Sequence, residues 1–163
     1  MSERLREIPK IFSRKLSKLM VGGTVLLSGI MIYVLLRPSG YIFYNWTEKF
    51  GINNWLYSLR IHPSAVSNYL PEWFVFSLPN GLWAFAYAFF ISTIWRDSKS
   101  RLKYFWMGSI PLLVFGYEGL QYFNFIPGTF CYQDLLFGSL GFIAGILIGT
   151  KSIKIKSHEK EIA

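Results

Sequence analysis

The sequence predicts an all-α polytopic membrane protein, a bundle of four transmembrane helices with both termini cytoplasmic and short amphipathic helices at the interfaces. Three observations predict it. Hydrophobic residues make up 52% of the 163 and charged residues only 16%, against roughly 25% charged in an average soluble domain. Aromatic residues reach 19%, more apolar surface than a soluble core of this size hides. The basic residues also alternate from segment to segment in the way that fixes the orientation of membrane spans.

The four spans are 19–36, 79–95, 104–123 and 135–150 within a single domain of 1–163. Each lies near the ~20 residues needed to cross hydrocarbon. The second gains an apolar lead-in from "WFVFS", and the short fourth can draw on Lys151 snorkelling to the headgroups. Of 17 Lys and Arg residues, 14 lie before the first span, in the "RDSKSRLK" connection or in the tail 151–163. Only Arg37, Lys49 and Arg60 fall on the other side. The positive-inside rule therefore places both termini and the middle connection in the cytoplasm. Topology accounts for the net charge of +8, so nucleic acid is not an expected partner.

Segment 1–18 is basic and amphipathic. Ile8, Ile11, Phe12, Leu16 and Leu19 follow helical spacing, while Lys10, Arg14 and Lys18 repeat every four residues. It is expected to lie along an anionic inner leaflet, a flexible basic tail being the alternative. The apolar run after it exceeds the usual ~7–15 residues of a signal peptide and lacks a small-residue cleavage site, so it is read as uncleaved. The outer connection 38–73 is rich in Tyr and Trp, which suits the headgroup zone. Ile52, Trp55, Leu56 and Leu59 predict a short amphipathic helix there, with Gly51 breaking the chain before it. Asn45-Trp46-Thr47 formally matches a glycosylation sequon, His62 is an ordinary loop residue, and the lone Cys131 excludes an intrachain disulfide.

Polar residues at the outer ends of the spans supply the candidate site. With the termini inside, Arg37 ends the first span, Asn80 starts the second, Glu118 and Gln121 occupy the last turns of the third, and Asp134 opens the fourth. All five collect at one membrane face. Glu118 and Gln121 share a helix side. Asn80, Ala84, Ala88 and Ser92 form a stripe of small residues, and Asp134 is followed by Gly138, Gly141, Gly145 and Gly149 on the packing face of the fourth span. Small residues let helix backbones approach closely in lipid, so the acids are expected to look inward, toward a pocket that opens outward. Pro127-Gly128 supplies a tight turn that brings Glu118 near Asp134, and Pro111 is expected to kink the third span. Two plainer readings stand beside this one. Glu118, Gln121 and Asn80 can form a hydrogen-bonded network that only glues the helices, and Asp134 can simply cap its helix.

The run of Glu118 and Gln121 (E-x-x-Q), Pro127-Gly128, then Asp134 with Gly141 and Gly145, resembles the VanZ-like family of small bacterial membrane proteins over residues 79–149. The resemblance implies a compact helical bundle in the cytoplasmic membrane and an association with resistance to teicoplanin-type glycopeptide antibiotics. The chain departs from the family pattern in carrying Thr129 where Arg often follows the Pro-Gly pair and Gly138 where Asn often follows the Asp. It also offers Asn80 alone in place of a His-containing polar cluster.

Three function classes follow. The first is a non-enzymatic envelope protein whose outer pocket binds an envelope lipid, a cell-wall precursor or a glycopeptide-type antibiotic. The second is a membrane enzyme in which Glu118 and Asp134 act as acid and base or hold Mg²⁺ or Ca²⁺ on a lipid-linked substrate; the chain carries no HExxH or GxSxG motif. The third is a structural partner of another membrane protein, or of a second copy of the chain, docked through the glycine stripe. No cofactor is called for, and membrane lipids are expected partners in every case.

Overall fold

The computed structural model describes residues 2–37, 47–51, 54, 58, 69–96 and 98–151, with the backbone alone for 2–12 and 14. Among these residues the chain is all-helical, with no strand. The expected outer helix at Ile52, Trp55, Leu56 and Leu59, His62, most of the sequon and the tail beyond Lys151 lie outside them. Gly51 is described, with a left-handed φ of 69°, and its amide bonds back to the Glu48 carbonyl at 3.0 Å. It ends a helical turn at 47–49 as only a residue tolerant of that conformation can.

Helix α1 runs Ser2–Leu36 without interruption, and its junction "SRKLSKLMV" passes from basic to apolar with no Gly or Pro. At 1.5 Å per residue it is about 52 Å long, well beyond a hydrocarbon core of about 30 Å. Segment 1–18 is therefore continuous with the helix that follows, rather than a separate surface helix or a flexible tail. The expected second span is longer than its apolar run. It comprises α2 (Glu72–Phe76) and α3 (Leu78–Ile94), offset at Ser77. Helices α4 (Leu102–Tyr122) and α5 (Tyr132–Thr150) complete the bundle, and α4 continues unbroken through Pro111.

Among the described residues, three stretches, Lys15–Leu36, Glu72–Ile94 and Tyr132–Thr150, are long and apolar enough to cross a membrane. Helix α4 has the length, at 21 residues, but Tyr104, Trp106, Tyr117, Glu118, Gln121 and Tyr122 make it more polar.

Helix α3 is the hub. It packs on α1, α4 and α5, and Ala84, Ala86, Ala88 and Phe89 on it are all buried. A helix apolar all round is one covered on several sides. Its closest seam is with α5. A Cβ on Gly141 would collide with the carbonyl oxygen of Gly81, one on Gly145 would come within 2.5 Å of the Phe85 carbonyl oxygen, and one on Gly149 within 2.6 Å of Ser92 Cβ. The α5 stripe thus meets α3 backbone to backbone. Gly138, one turn earlier, faces α4 instead, where a Cβ would lie 2.7 Å from Val114. The stripe is occupied by other helices of the same chain, so it is not a free docking surface.

Helix α1 reaches α3 by the same means. Gly22 faces Phe89 and Phe90, and Gly29 faces Leu82 and Trp83. Lys18, one turn before Gly22, does not lie in a surface stripe. It is 7% exposed, and its ammonium donates to the carbonyls of Gly149 at 3.0 Å and Lys151 at 2.7 Å. The last carbonyls of a helix lack intrahelical donors and carry the negative end of its dipole, so the lysine closes the C-terminus of α5. By contrast α4 is loosely held. Only Ile110 and Glu118 on it are buried, and Tyr87 Oη and Ser109 Oγ, 3.2 Å apart, form a hydrogen bond between α3 and α4.

Candidate functional site

At the end of the bundle where α1 and α4 finish and α3 and α5 begin lies a cavity of about 1130 Å³. Arg37, Asn80, Glu118, Gln121 and Asp134 all line it, together with Pro127 and Gly128. Leu26, Ala84, Ile110 and Val114 line it as well.

Arg37 is placed by a proline. Pro79 has no N–H, so the Val75 carbonyl four residues earlier lacks its helical donor. The Arg37 guanidinium fills that gap, donating from Nε to Val75 O at 3.3 Å and from Nη2 to the Phe76 carbonyl. The same group lies 4.3 Å above the Tyr33 ring, and Tyr33 in turn meets Trp83 at 5.4 Å between centroids. Arg37 therefore fastens the end of α1 to the offset between α2 and α3. Ser77, at that offset, is 1% exposed, and its hydroxyl has no hydrogen-bond partner.

Glu118 is set by the turn that follows it. Asn124 takes a left-handed φ of 60°. The Phe125 amide then bonds back to Leu120 O at 2.9 Å and the Asn124 amide to Gln121 O at 3.0 Å, a Schellman closure of α4. Gly128 follows with φ 138°, and any Cβ there would strike the amide of Gln121; Gln121 thus packs on the turn. The loop returns to Cys131, the N-cap of α5, whose N–H donates to Glu118 Oε2 at 2.9 Å. Among the described residues no hydrogen bond joins Glu118 to Gln121 or Asn80, so the network of the plainer reading is not formed. The carboxylate instead meets the positive end of the α5 dipole, as the first amides of a helix require.

Asp134 is not a cap. Helix α5 begins at Tyr132, three residues before the expected span, so Asp134 sits inside its first turn. Its own amide bonds to Cys131 O at 3.1 Å. Its side chain neighbours that of Glu118 within hydrogen-bonding reach, yet Oδ1 is buried with no partner. Buried polar atoms are almost always satisfied, so a carboxyl oxygen, a serine hydroxyl and the Trp83 indole N–H left without partners in the lining of one cavity mark it as a place for a polar guest. Among the described residues no group of three or more His, Cys, Asp or Glu side chains is gathered. A divalent cation would find two carboxyls here and would need its other oxygens from elsewhere.

Sequence reasoning missed Ser77, Lys18 and the aromatic wall of Tyr33, Trp83, Tyr87 and Tyr117. The spacing Lys18, Gly22, Gly29, Tyr33 on α1 carried the signal for two of these. Comparison with protein-family models, curated proteins and solved structures finds no match to the chain.

Proposed function

We propose that the chain is a four-span protein of the bacterial cytoplasmic membrane, termini inside, whose polar cavity opens outward and binds an envelope amphiphile. Envelope lipids, cell-wall precursors and glycopeptide-type antibiotics are the candidate guests, the last following from the VanZ-like resemblance. The observation that carries the reading is the convergence of polar residues from four helices on one cavity, with Ser77 Oγ and Asp134 Oδ1 left unpartnered in it. Intramembrane ionisable groups are costly unless they serve a function or find partners. Helix α4 serves as the fourth span, with its aromatic residues at the ends suiting the headgroup zone and Glu118 turned into the protein. The charge pattern, 14 basic residues against 3, supports the orientation.

Orientation is tested by labelling. In a Cys131→Ser background, Thr129→Cys at the cavity rim reacts with a membrane-impermeant maleimide in intact cells. Reaction only in inverted vesicles contradicts the reading. Binding is tested by native mass spectrometry of protein taken from its own membrane. The wild type carries an amphiphile that Glu118→Gln and Asp134→Asn lose while remaining folded.

A further inference from the structure

Resting on the outward-cavity reading, we infer that the guest is an amphiphile with a protonated primary amine, the ammonium seated between Glu118 and Asp134 and the chain lying against α4. The first support is charge. In a chain of net charge +8, the described residues lining the cavity carry three carboxyl groups (Glu72, Glu118 and Asp134) against the single cation Arg37, and no lysine. Two of those carboxyls, Glu118 and Asp134, are neighbours, and a cation shared by both is attracted to them strongly where screening by water is weak.

The second support is hydrogen-bonding capacity. Glu118 is 4% exposed and Ser77 1%. The Cys131 amide occupies Oε2 of Glu118, Ser77 Oγ and Asp134 Oδ1 accept nothing, and the Trp83 indole N–H is a buried unpartnered donor among the described lining residues. An ammonium brings three N–H donors and no acceptor, which matches a site with acceptors to spare. A quaternary ammonium has no N–H and leaves these oxygens unsatisfied. Rings of Tyr33, Trp83, Tyr87 and Tyr117 also line the space, and aromatic faces favour cations. The third support is the wall itself. Leu113 and Tyr117 line the cavity yet are 64% and 57% exposed, so the cavity is open along the side of α4 and an apolar chain can leave through it.

Full-length protein in phosphatidylcholine nanodiscs, whose host headgroup lacks an N–H, provides the test. Dodecylamine, lysophosphatidylethanolamine, N-dodecylacetamide and dodecyl phosphate are titrated calorimetrically against empty-disc controls. Saturable one-to-one binding of dodecylamine or lysophosphatidylethanolamine is expected, with N-dodecylacetamide at least tenfold weaker. Tighter binding of the lysolipid identifies a lipid headgroup as the source, and tighter binding of dodecylamine a free amine; either supports the inference. Glu118→Gln and Asp134→Asn each weaken the amine at least tenfold, and the acetamide comparison gives the same answer on unmutated protein. Dodecyl phosphate or N-dodecylacetamide binding as tightly as dodecylamine overturns the amine and leaves the cavity reading standing. Saturable binding of none of the four removes both.

Discussion

The two ends of α5 make an instructive pair. At its C-terminus the Lys18 ammonium, brought by α1, donates to two carbonyls, and the buried Ser92 hydroxyl packed near Gly149 lacks a partner but does not line the cavity. At its N-terminus the Glu118 carboxylate, brought by α4, accepts one amide, while Asp134 beside it keeps an oxygen with no partner over a cavity. Both ends use a charge from another helix to oppose the dipole of α5. One closes on itself and the other retains hydrogen-bonding capacity. A lock and a site can be built from the same device, and the difference lies in whether the unsatisfied groups line a cavity.

Substitutions that separate locking from binding sharpen the comparison. The largest effect is expected at the seam between the two ends. Gly141→Leu forces a side chain into the Gly81 carbonyl and destabilises the protein by about 3 kcal/mol or more, read as loss of the monodisperse peak in fluorescence-detected size exclusion. Next comes Lys18→Met, which keeps the apolar stem but leaves the Gly149 and Lys151 carbonyls without their donor. It lowers stability by about 1–3 kcal/mol in a thermal melt and leaves guest affinity within twofold. Glu118→Ala orphans the Cys131 amide, at about 1–2 kcal/mol, and abolishes binding. Glu118→Gln retains an acceptor for that amide, so its melting temperature stays near wild type while binding still falls. The smallest change is Ser77→Ala. Its hydroxyl has no hydrogen-bond partner in the protein, so stability is unchanged or slightly raised while affinity drops severalfold. Should Lys18→Met and Glu118→Gln lower stability equally and leave binding untouched, the two ends of α5 are alike and both are locks.

Much of this architecture is legible in the residues because glycine spacing and hydropathy are local properties. Gly141, Gly145 and Gly149 on α5 and Ala84, Ala88 and Ser92 on α3 advertise a close seam, and polar residues at span ends advertise a shared face. Helix limits were less legible. Asp134 reads as a helix opener, yet α5 starts at Tyr132, because the partner for the first amide is Glu118, thirteen residues back in the chain. Lys18 reads as one more topological charge, since nothing in its own segment says that the α5 carbonyls wait for it. Ser77 is invisible for the same reason. Its burial arises from the offset that Pro79 imposes on α2 and α3 and from the arginine that repairs it.

The measurement that bears most directly on the outer end is a high-resolution structure of protein extracted from its own membrane without delipidation. Ordered non-protein density in contact with Glu118, Asp134 and Ser77 is the predicted result. Side chains drawn together into a filled, fully hydrogen-bonded interior, with no space between α1 and α4, would contradict it.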